Sequence, residues 1–304
     1  MNGPRPEKLR DPAVVDFGVD GRGHGRRLER LGGVLVDRPL PQTTVRRRAP
    51  SLWEDAAAVF STTADATGPD SRGTWTFNRP PPEPWHAAVP VGDATIVLEV
   101  HPSPSGQVGV FLEQADQWRW LRGATRAGMP ILSLFAHSGA ASLAAAAAGA
   151  EVVHVDASRQ AVALARRNAA ASDLDHLPIS WVCEDAATYV ARCLKRGRRF
   201  AGVVLDPPSW GHGPKGQPFS IDRHLPDLLA DLARLLDPDS SGPVLLTCHS
   251  PGWHPARLGD TLAEAIAAAG RRPAARVESG SLDLLDDSGR TLTLGGFARL
   301  PSAS

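Results

Sequence analysis

The segment from Ile131 to Asp156 constrains the fold of this chain more than any other stretch. An apolar run to Phe135 leads into Gly139, an alanine-rich stretch follows to Ala150, and a second apolar run ends at Asp156. Short apolar runs bounded by turn residues are typical of strands in a buried parallel sheet, and alanine favours a helix between them. The pattern predicts a strand, a tight glycine turn, a helix, and a second strand that ends in a carboxylate.

Gly139 and Asp156 together indicate a site for a nucleoside cofactor. Glycine lets the backbone approach a ligand closely. Asp156 stands seventeen residues later, near the position of the ribose-binding acid in doubly wound folds. The turn Ala136–Ser142 has a single glycine and lacks the pyrophosphate-binding pattern G-x-G-x-x-G, which disfavours a dinucleotide. S-adenosylmethionine is therefore the expected cofactor, and the alternative is an α/β domain whose first turn binds nothing.

Apolar strands alternate with helical segments from residue 131 onwards, which predicts an α/β fold with a doubly wound, mostly parallel, seven-stranded sheet. Two final strands, near Arg276–Glu278 and Thr291–Ala298, follow each other without a helix and predict one antiparallel member. We expect two domains: a basic, β-rich N-terminal region over residues 1–100 and a cofactor-binding domain over residues 101–304.

The N-terminal region combines positive charge with turn-forming residues. Residues 1–50 contain eleven Arg/Lys and six Asp/Glu, although the whole chain has a formal net charge of zero. Such a segment is suited to docking on phosphates, and the alternative is an arginine-rich surface without a partner. Gly18–Arg38 predicts a small β unit with a hairpin at Gly32 and Gly33. Thr67–Pro90, rich in proline and glycine, predicts irregular structure held by aromatic side chains.

Composition excludes several classes of protein. The three cysteines are too few and too irregularly spaced for a disulfide framework or a zinc site, and no metal is expected. The N-terminal residues lack the apolar core of a signal peptide, and polar residues interrupt the most apolar region. We therefore expect a cytoplasmic protein that does not enter a membrane.

Three acids follow three of the predicted strands: Asp156, Asp185 and Asp206. Ligands of open α/β sheets bind at the carboxyl ends of the strands, so we expect these acids along one rim with Gly139. Asp206 begins the most specific motif of the chain, Asp206-Pro207-Pro208-Ser209, in which two prolines make a rigid turn. The alternative is a Pro-Pro cap on a buried strand.

Several motifs now point to a family. In order along the chain they are Gly109–Gln114, Leu134–Gly139, Val155–Ser158, Glu184–Ala186, Leu205–Ser209 and Gly295–Ala298. Over about Gly109–Leu300 the chain resembles class I S-adenosylmethionine methyltransferases, and within them the large-subunit ribosomal RNA methyltransferases of the cytosine-carbon-5 and guanine-N7 group. The RNA-binding N-terminal barrel of that group is not recognisable in residues 1–90.

The resemblance implies a role for each matching residue. Asp206 is expected at the reaction centre, Asp156 on the ribose hydroxyls, Asp185 near the adenine amine, and Gly139 under the methionine moiety. The residues expected to bind the cofactor are Phe111, Gln114, Phe135, Ser138, Gly139, Asp156, Ala157, Asp185, Ala186 and Asp206. The expected catalytic residues are Asp206, Pro207, Pro208 and Ser209.

The loop after the motif offers groups for a substrate. Trp210 can stack on an unstacked base, while His212 and Lys215 can approach its phosphate. The alternative is a surface loop that does not touch the substrate. Cys248 is a further candidate for contact with the substrate.

Cys248 decides between two chemistries. Cytosine-modifying members of the group have a nucleophilic cysteine just after the fifth strand, but Ser250 stands at that position here, and Cys248 precedes it by two residues. Methylation at carbon 5 of cytosine requires a thiolate, and His249 could lower the pKa of the Cys248 thiol. The alternative is that Cys248, at the end of an apolar strand, packs as a small buried hydrophobe. Neighbouring strand residues also point to opposite faces, which weakens a partnership between Cys248 and His249.

We therefore expect an S-adenosylmethionine-dependent methyltransferase that modifies a nucleobase, with RNA, most simply ribosomal RNA, as its partner. Two alternatives remain at this stage. One is a methyltransferase acting on a small metabolite, and the other is a non-catalytic RNA-binding protein on a methyltransferase scaffold.

Overall fold

A computed structural model describes residues 11–62, 72–213, 216, 218–238, 242–270 and 276–302. They divide into two compact units. The described residues of the first unit fall within Met1–Val89, Val97–Leu112 and Leu284–Leu292. Those of the second unit fall within Pro90–Ile96, Glu113–Asp283 and Thr293–Ser304.

The N-terminal part of the chain is built mainly from β-strands. In order they are β1 (Ala13–Val19), β2 (Gly25–Leu31), β3 (Val34–Pro39), helix α1 (Pro50–Glu54), β4 (Ala58–Thr62), β5 (Gly73–Phe77), β6 (His86–Val91) and β7 (Ala94–Glu99). The first five strands form one sheet in the order β1-β2-β3-β4-β5, and β6 pairs with β7. Strands β3 and β4 run parallel, and the other pairs of the five-stranded sheet run antiparallel.

The predicted hairpin at Gly32 and Gly33 is present as β2 and β3. The irregular structure predicted over Thr67–Pro90 is wrong for Gly73–Phe77 and His86–Val91, which form β5 and β6. The prolines of this region concentrate between the two strands, where they break no ladder. The one proline inside β6, Pro90, lies on the exposed face of a strand whose buried and exposed residues alternate.

The second half of the chain alternates strands and helices. Its elements are α2 (Ala115–Ala124), β8 (Pro130–Leu134), α3 (Ala140–Ala146), β9 (Glu151–Asp156), α4 (Arg159–Ala171), β10 (Ile179–Cys183), α5 (Ala186–Lys195), β11 (Gly202–Leu205), β12 (Trp210–His212), β13 (Pro218–Ser220), α6 (Ile221–Leu235), β14 (Val244–Cys248), α7 (Pro255–Ala268), β15 (Glu278–Leu285) and β16 (Thr291–Leu300).

Seven of these strands form one sheet in the order β10-β9-β8-β11-β14-β16-β15. The first five are parallel, and β16 is antiparallel to β14. The predicted fold class, seven-stranded sheet and antiparallel member are thereby confirmed. The penultimate strand, however, occupies Glu278–Leu285 rather than the predicted Arg276–Glu278.

Both faces of the parallel sheet are covered by apolar side chains. Leu132 and Leu134 of β8 join one core cluster, with residues of α5, α6 and α7. Ile131, which precedes Leu132 on the opposite face of the strand, joins a second cluster with residues of α2 and α3. Burial on both faces explains why these strands are continuous apolar runs. Among the described residues, no helix has the length and apolar character needed to cross a membrane.

Candidate active site

The carboxyl ends of four neighbouring strands meet at one edge of the large sheet. Asp185 follows β10, Asp156 ends β9, the Gly139 turn follows β8, and Asp206 follows β11. Because these strands are parallel and adjacent, their carboxyl ends lie side by side, as the strand pattern predicted. This edge is where ligands bind in open α/β sheets.

The turn between β8 and α3 has a strained backbone. Phe135 and His137 have positive φ angles of 51° and 42°, and Gly139 has a φ of 85°. Residues other than glycine adopt positive φ angles at an energetic cost, and residues held in such conformations cluster at functional sites. A Cβ atom added to Gly139 would lie 2.9 Å from the Cβ of Ala165 on α4. The sequence therefore needs glycine at this turn for two separate reasons.

Hydrogen bonds from helix α4 and strand β9 hold the turn in place. The Asn168 side chain donates from Nδ2 to the carbonyl of Ser138 at 2.8 Å, and Asn168 is completely buried. The backbone N–H of His137 donates to Oδ2 of Asp156 at 2.8 Å. Ser138 is itself buried, so its contribution to a ligand site is through its backbone.

The Asp156 carboxylate joins the two segments that surround it. Besides the bond from His137, its Oδ1 accepts from the N–H of Ser158 at 2.8 Å, and Ser158 in turn caps α4 through a bond from Ala161. Each carboxylate oxygen can accept more than one bond, so both retain capacity for vicinal hydroxyl groups. Ala157 lies between Asp156 and Ser158 and is half-buried.

Asp185 caps helix α5. Its Oδ1 accepts from the backbone N–H and the hydroxyl of Thr188, both at 2.8 Å. Among the described residues no donor bonds to Oδ2, so that oxygen can accept from a ligand amine. Ala186, the first residue of α5, is buried and belongs to the core cluster that contains Leu132 and Leu134.

Two hydrogen bonds and a nearby histidine hold the Asp206 carboxylate. Gln114 Nε2 donates to Oδ2 at 2.7 Å, and Thr247 Oγ1 donates to Oδ1 at 2.8 Å. Nδ1 of His249 lies 3.8 Å from Oδ1. Burial alone would raise the pKa of Asp206, but the positive charge of His249 and the hydrogen bonds from Thr247 and Gln114 lower it below its ordinary value. Asp206 is therefore ionised, and 36% of its side chain stays exposed to a ligand.

His249 and Glu113 belong to this network, which no motif in the sequence predicted. Nε2 of His249 lies 3.2 Å from Oε1 of Glu113. Burial would lower the pKa of His249, but hydrogen bonding and charge attraction from Asp206 and Glu113 raise it to about 10. The imidazole is therefore protonated at neutral pH. Residues 113, 206 and 249 are far apart in the chain, and only the fold brings them together.

Ser209 and Cys248 have different surroundings. The hydroxyl of Ser209 lies 2.7 Å from that of Ser250, the residue at the family's cysteine position. Cys248 has 0% exposure, and its Sγ accepts from the N–H of Ser250. Burial raises the pKa of the Cys248 thiol. These facts favour the packing alternative for Cys248 over a nucleophile or a substrate contact.

The first residues of the expected loop, Trp210–His212, form one strand of a short hairpin, and residues 214, 215 and 217 lie outside the described residues. Trp210–His212 (β12) pairs with Pro218–Ser220 (β13), and Phe219 packs on Phe135 with ring centroids 5.1 Å apart. Trp210 has 59% exposure, the highest among the large apolar residues of the described chain that are exposed. Lys215 and the side chain of His212 lie outside the described residues. Pro207 is buried, and Pro208 is exposed.

The remaining predicted cofactor residue, Phe111, is half-buried and belongs to the first unit. Its role stays a prediction. The acceptor groups of the rim suit S-adenosylmethionine, the cofactor predicted from the sequence. Asp156 offers acceptors for two ribose hydroxyls, Asp185 offers one for an amine, and the turn at Gly139 brings backbone rather than side chain to the edge of the sheet.

Comparison with known proteins identifies related proteins. A family model described as S-adenosylmethionine-dependent methyltransferase matches residues 42–272. The ribosomal RNA large subunit methyltransferase I of Tolumonas auensis is 30% identical over 167 residues, 54% of this chain and 41% of that relative. The protein of the same name from an Enterobacter strain is 29% identical over 206 residues, 66% of this chain and 49% of the relative. The chain thus spans less than half the length of these curated relatives.

A solved structure is similar over nearly the whole chain. It is a SAM-dependent methyltransferase from Agrobacterium tumefaciens, 30% identical, with a TM-score of 0.81. The match covers 96% of this chain and 91% of that one.

Proposed function

The chain belongs to the S-adenosylmethionine-dependent methyltransferases, and from that membership we propose that it methylates a nucleobase of RNA. The observation that carries the proposal is the exposed Trp210, four residues after the ionised Asp206 at the edge of the sheet. Aromatic rings next to a reaction centre suit unstacked bases, because every base has a π-face on which they can stack. The ribosomal RNA methyltransferases among the similar proteins support the same substrate class.

The proposed cofactor contacts follow the rim. Asp156 accepts hydrogen bonds from ribose hydroxyls, Asp185 from the adenine amine, and the backbone around Gly139 lies against the methionine moiety. When bound, S-adenosylmethionine supplies a methyl group that is already activated by its positively charged sulfur. The smaller contributions would come from Phe111, Gln114, Phe135, Ser138, Ala157 and Ala186.

We place the target atom on a nitrogen of the base. The nitrogen would accept the methyl group with its own lone pair, the electron pair of the carbon–sulfur bond would stay on sulfur, and the methylated amine would then release a proton to solvent. No thiolate takes part, which agrees with the buried, protonated Cys248 and with serine at position 250. Methylation of carbon 5 of cytosine would require such a thiolate.

The residues of the motif orient the acceptor. Asp206 accepts a hydrogen bond from the target amine, and its negative charge stabilises the positive charge that develops on the nitrogen. The rigid Pro207-Pro208 turn and Ser209 fix the backbone that follows Asp206. Trp210 holds the base, with His212 and Lys215 near its phosphate.

The proposal extends to the N-terminal region. We assign RNA contacts to residues 1–100, where Arg46 and Arg48 are exposed, whereas Arg47 packs over Trp53 at 3.7 Å. If the Arg46 or Arg48 side chain contacts a phosphate, its contribution to RNA affinity decreases as the salt concentration rises. Ribosomal RNA as substrate also accords with the cytoplasmic location predicted from the sequence.

A methyl-transfer assay with radiolabelled S-adenosylmethionine tests the proposal. Total RNA and a panel of small-molecule acceptors are compared as substrates, with Asp206→Ala as the inactive control. We expect label in RNA only. Label in a small molecule would indicate that the substrate is a metabolite rather than RNA. RNA binding without cofactor binding in calorimetry would indicate a non-catalytic RNA-binding protein.

A further inference from the structure

His249 lies between two carboxylates at the edge of the large sheet. Nε2 is 3.2 Å from Oε1 of Glu113, and Nδ1 is 3.8 Å from Oδ1 of Asp206. Glu113 is 3% exposed and belongs to the single helical turn that precedes α2, whereas Asp206 follows β11. Each ring nitrogen thus faces one acid, and the ring joins two segments that are 93 residues apart in the sequence.

The arrangement fits only a protonated ring. A neutral imidazole has one N–H and one acceptor nitrogen, so one of its nitrogens would face a carboxylate with a lone pair. In the protonated ring both nitrogens carry a hydrogen: Nε2 lies within hydrogen-bond distance of Glu113, and the positive charge near Nδ1 attracts Asp206 at 3.8 Å. Burying a carboxylate as deeply as that of Glu113 is costly, and a neighbouring cation offsets part of that cost. The pKa of about 10 for His249 is consistent with this geometry.

Thr247 and His249 both lie against Asp206 at the carboxyl end of β14. Thr247 is within the strand, Cys248 is its last residue, and His249 is the first residue after it. Thr247 and His249 both reach Oδ1 of Asp206, while Cys248 is buried away from them. The titratable groups that face the His249 ring in the described part of the chain are Glu113 and Asp206.

We propose that His249 is a positioning residue for methyl transfer, which bridges Glu113 and Asp206 and thereby fixes the charge and orientation of the Asp206 carboxylate. This inference rests on the proposed function, because the bound acceptor is the group that Asp206 serves. Gln114 and Thr247 set where the two carboxylate oxygens lie. His249 adds the positive charge that those neutral donors lack.

Nuclear magnetic resonance tests the bridge without any acceptor. The full chain, labelled with nitrogen-15 in its histidines, is titrated from pH 5 to 10.5. We expect His249 to keep the two-proton signature of an imidazolium to about pH 9, and Asp206→Asn and Glu113→Gln each to move its titration down by one pH unit or more. As a control, His176→Gln, which removes an exposed histidine, should leave the titration of His249 unchanged. Titration of His249 near pH 6.5 in the wild-type chain would overturn the inference.

Kinetics then test the positioning role. Methyl transfer to RNA is followed against pH for the wild type, His249→Gln, Glu113→Gln and the double variant, with His176→Gln as the matched control. We expect His249→Gln to lower kcat by about 10- to 100-fold with KM for the cofactor nearly unchanged, and to move the acid limb of the profile upward by about one unit or more. Glu113→Gln should add little in the His249→Gln background, because it acts through that ring.

Three outcomes are separable. A kcat and a pH profile of His249→Gln equal to those of His176→Gln, with the variant folded, would overturn the inference while the proposed function stands. An unfolded His249→Gln leaves the decision to Glu113→Gln, for which an unchanged profile overturns the inference. Absence of methyl transfer to RNA by the wild type would refute the proposed function, and the titration alone would then decide whether the bridge exists.

Discussion

Replacing Asp156 by alanine should weaken cofactor binding by at least tenfold. The carboxylate accepts two backbone bonds, from His137 and Ser158, each at 2.8 Å, and has capacity left for two ribose hydroxyls. Hydrogen bonds to a charged group contribute about 1.5–3 kcal/mol each. Water replaces part of what is lost, so a net loss of about 1.4–2.8 kcal/mol is expected, which is a factor of about 10 to 100 in Kd.

The same change also loosens the turn that carries His137. Loss of the two backbone bonds should lower the free energy of unfolding by about 1–3 kcal/mol. Asp156→Asn keeps the shape but turns an amide N–H₂ group toward one of the two backbone donors, so we expect it to lose affinity as well. Asp175→Ala, at an exposed acid outside the site, should bind like the wild type.

Isothermal titration calorimetry with S-adenosylmethionine measures the affinities, and urea unfolding of each variant shows whether the chain is folded. The assignment of Asp156 to the ribose would be refuted by a folded Asp156→Ala variant that binds the cofactor within twofold of the wild type. Equal losses in Asp156→Ala and Asp175→Ala would point to a general charge effect instead.

Three further predictions concern other parts of the chain. Replacing Arg46 and Arg48 together should reduce the slope of log RNA affinity against log salt concentration by about one to two in a binding assay, whereas Arg166→Ala on α4 should leave the slope unchanged. Equal slopes in the wild type and the double variant would show that these arginines do not contact RNA. Cys248→Ser should keep most of the activity, and 5-fluorocytosine RNA should not trap the wild type covalently; trapping would establish carbon-5 chemistry. The folded pKa of His249, about 10, exceeds its unfolded value of 6.5, so its stabilisation is complete below pH 6.5 and is lost as pH rises to 10. With 35% of the side chain exposed, urea unfolding should show a loss of about 1–2 kcal/mol that is absent from His249→Gln.

The parallel half of the fold could be predicted because each of its strands is a short apolar run with a turn at its end. Ile131–Leu134 and Val152–Val155 are buried on both faces, so their continuous hydrophobicity identifies them without an alternating pattern. The positions of Asp156, Asp185 and Asp206 then followed from a rule about parallel sheets, without any knowledge of side-chain contacts.

The N-terminal sheet was harder to predict. Strand β5 is an edge strand with mostly exposed or half-buried residues, and it pairs with β4 across a stretch of chain rich in turn residues. Its alternation of threonine with Trp75 and Phe77 was hidden by the prolines that follow. Edge strands show weaker burial patterns than central strands, so sequence periodicity identifies them less well.

The network at Asp206 could not be predicted at all from spacing. Its members come from the turn before α2, the end of β11 and the end of β14, and adjacency in the sequence suggested Cys248 as the partner of His249. Cys248 is buried at the end of β14, and the fold supplies Glu113 as the second partner instead. Long-range ion pairs of this kind depend on topology, which a local pattern does not contain.

Nucleoside mass spectrometry of ribosomal RNA tests the central claim most directly. Ribosomal RNA is isolated from three strains and compared: cells with the gene, cells without it, and cells that express the Asp206→Ala variant in its place. The account predicts one N-methylated nucleoside that disappears without the gene, returns with the wild-type chain, and stays absent with Asp206→Ala. Identical ribosomal nucleosides in all three strains would contradict the proposed substrate, and loss of a carbon-5-methylated cytosine would contradict the proposed nitrogen target.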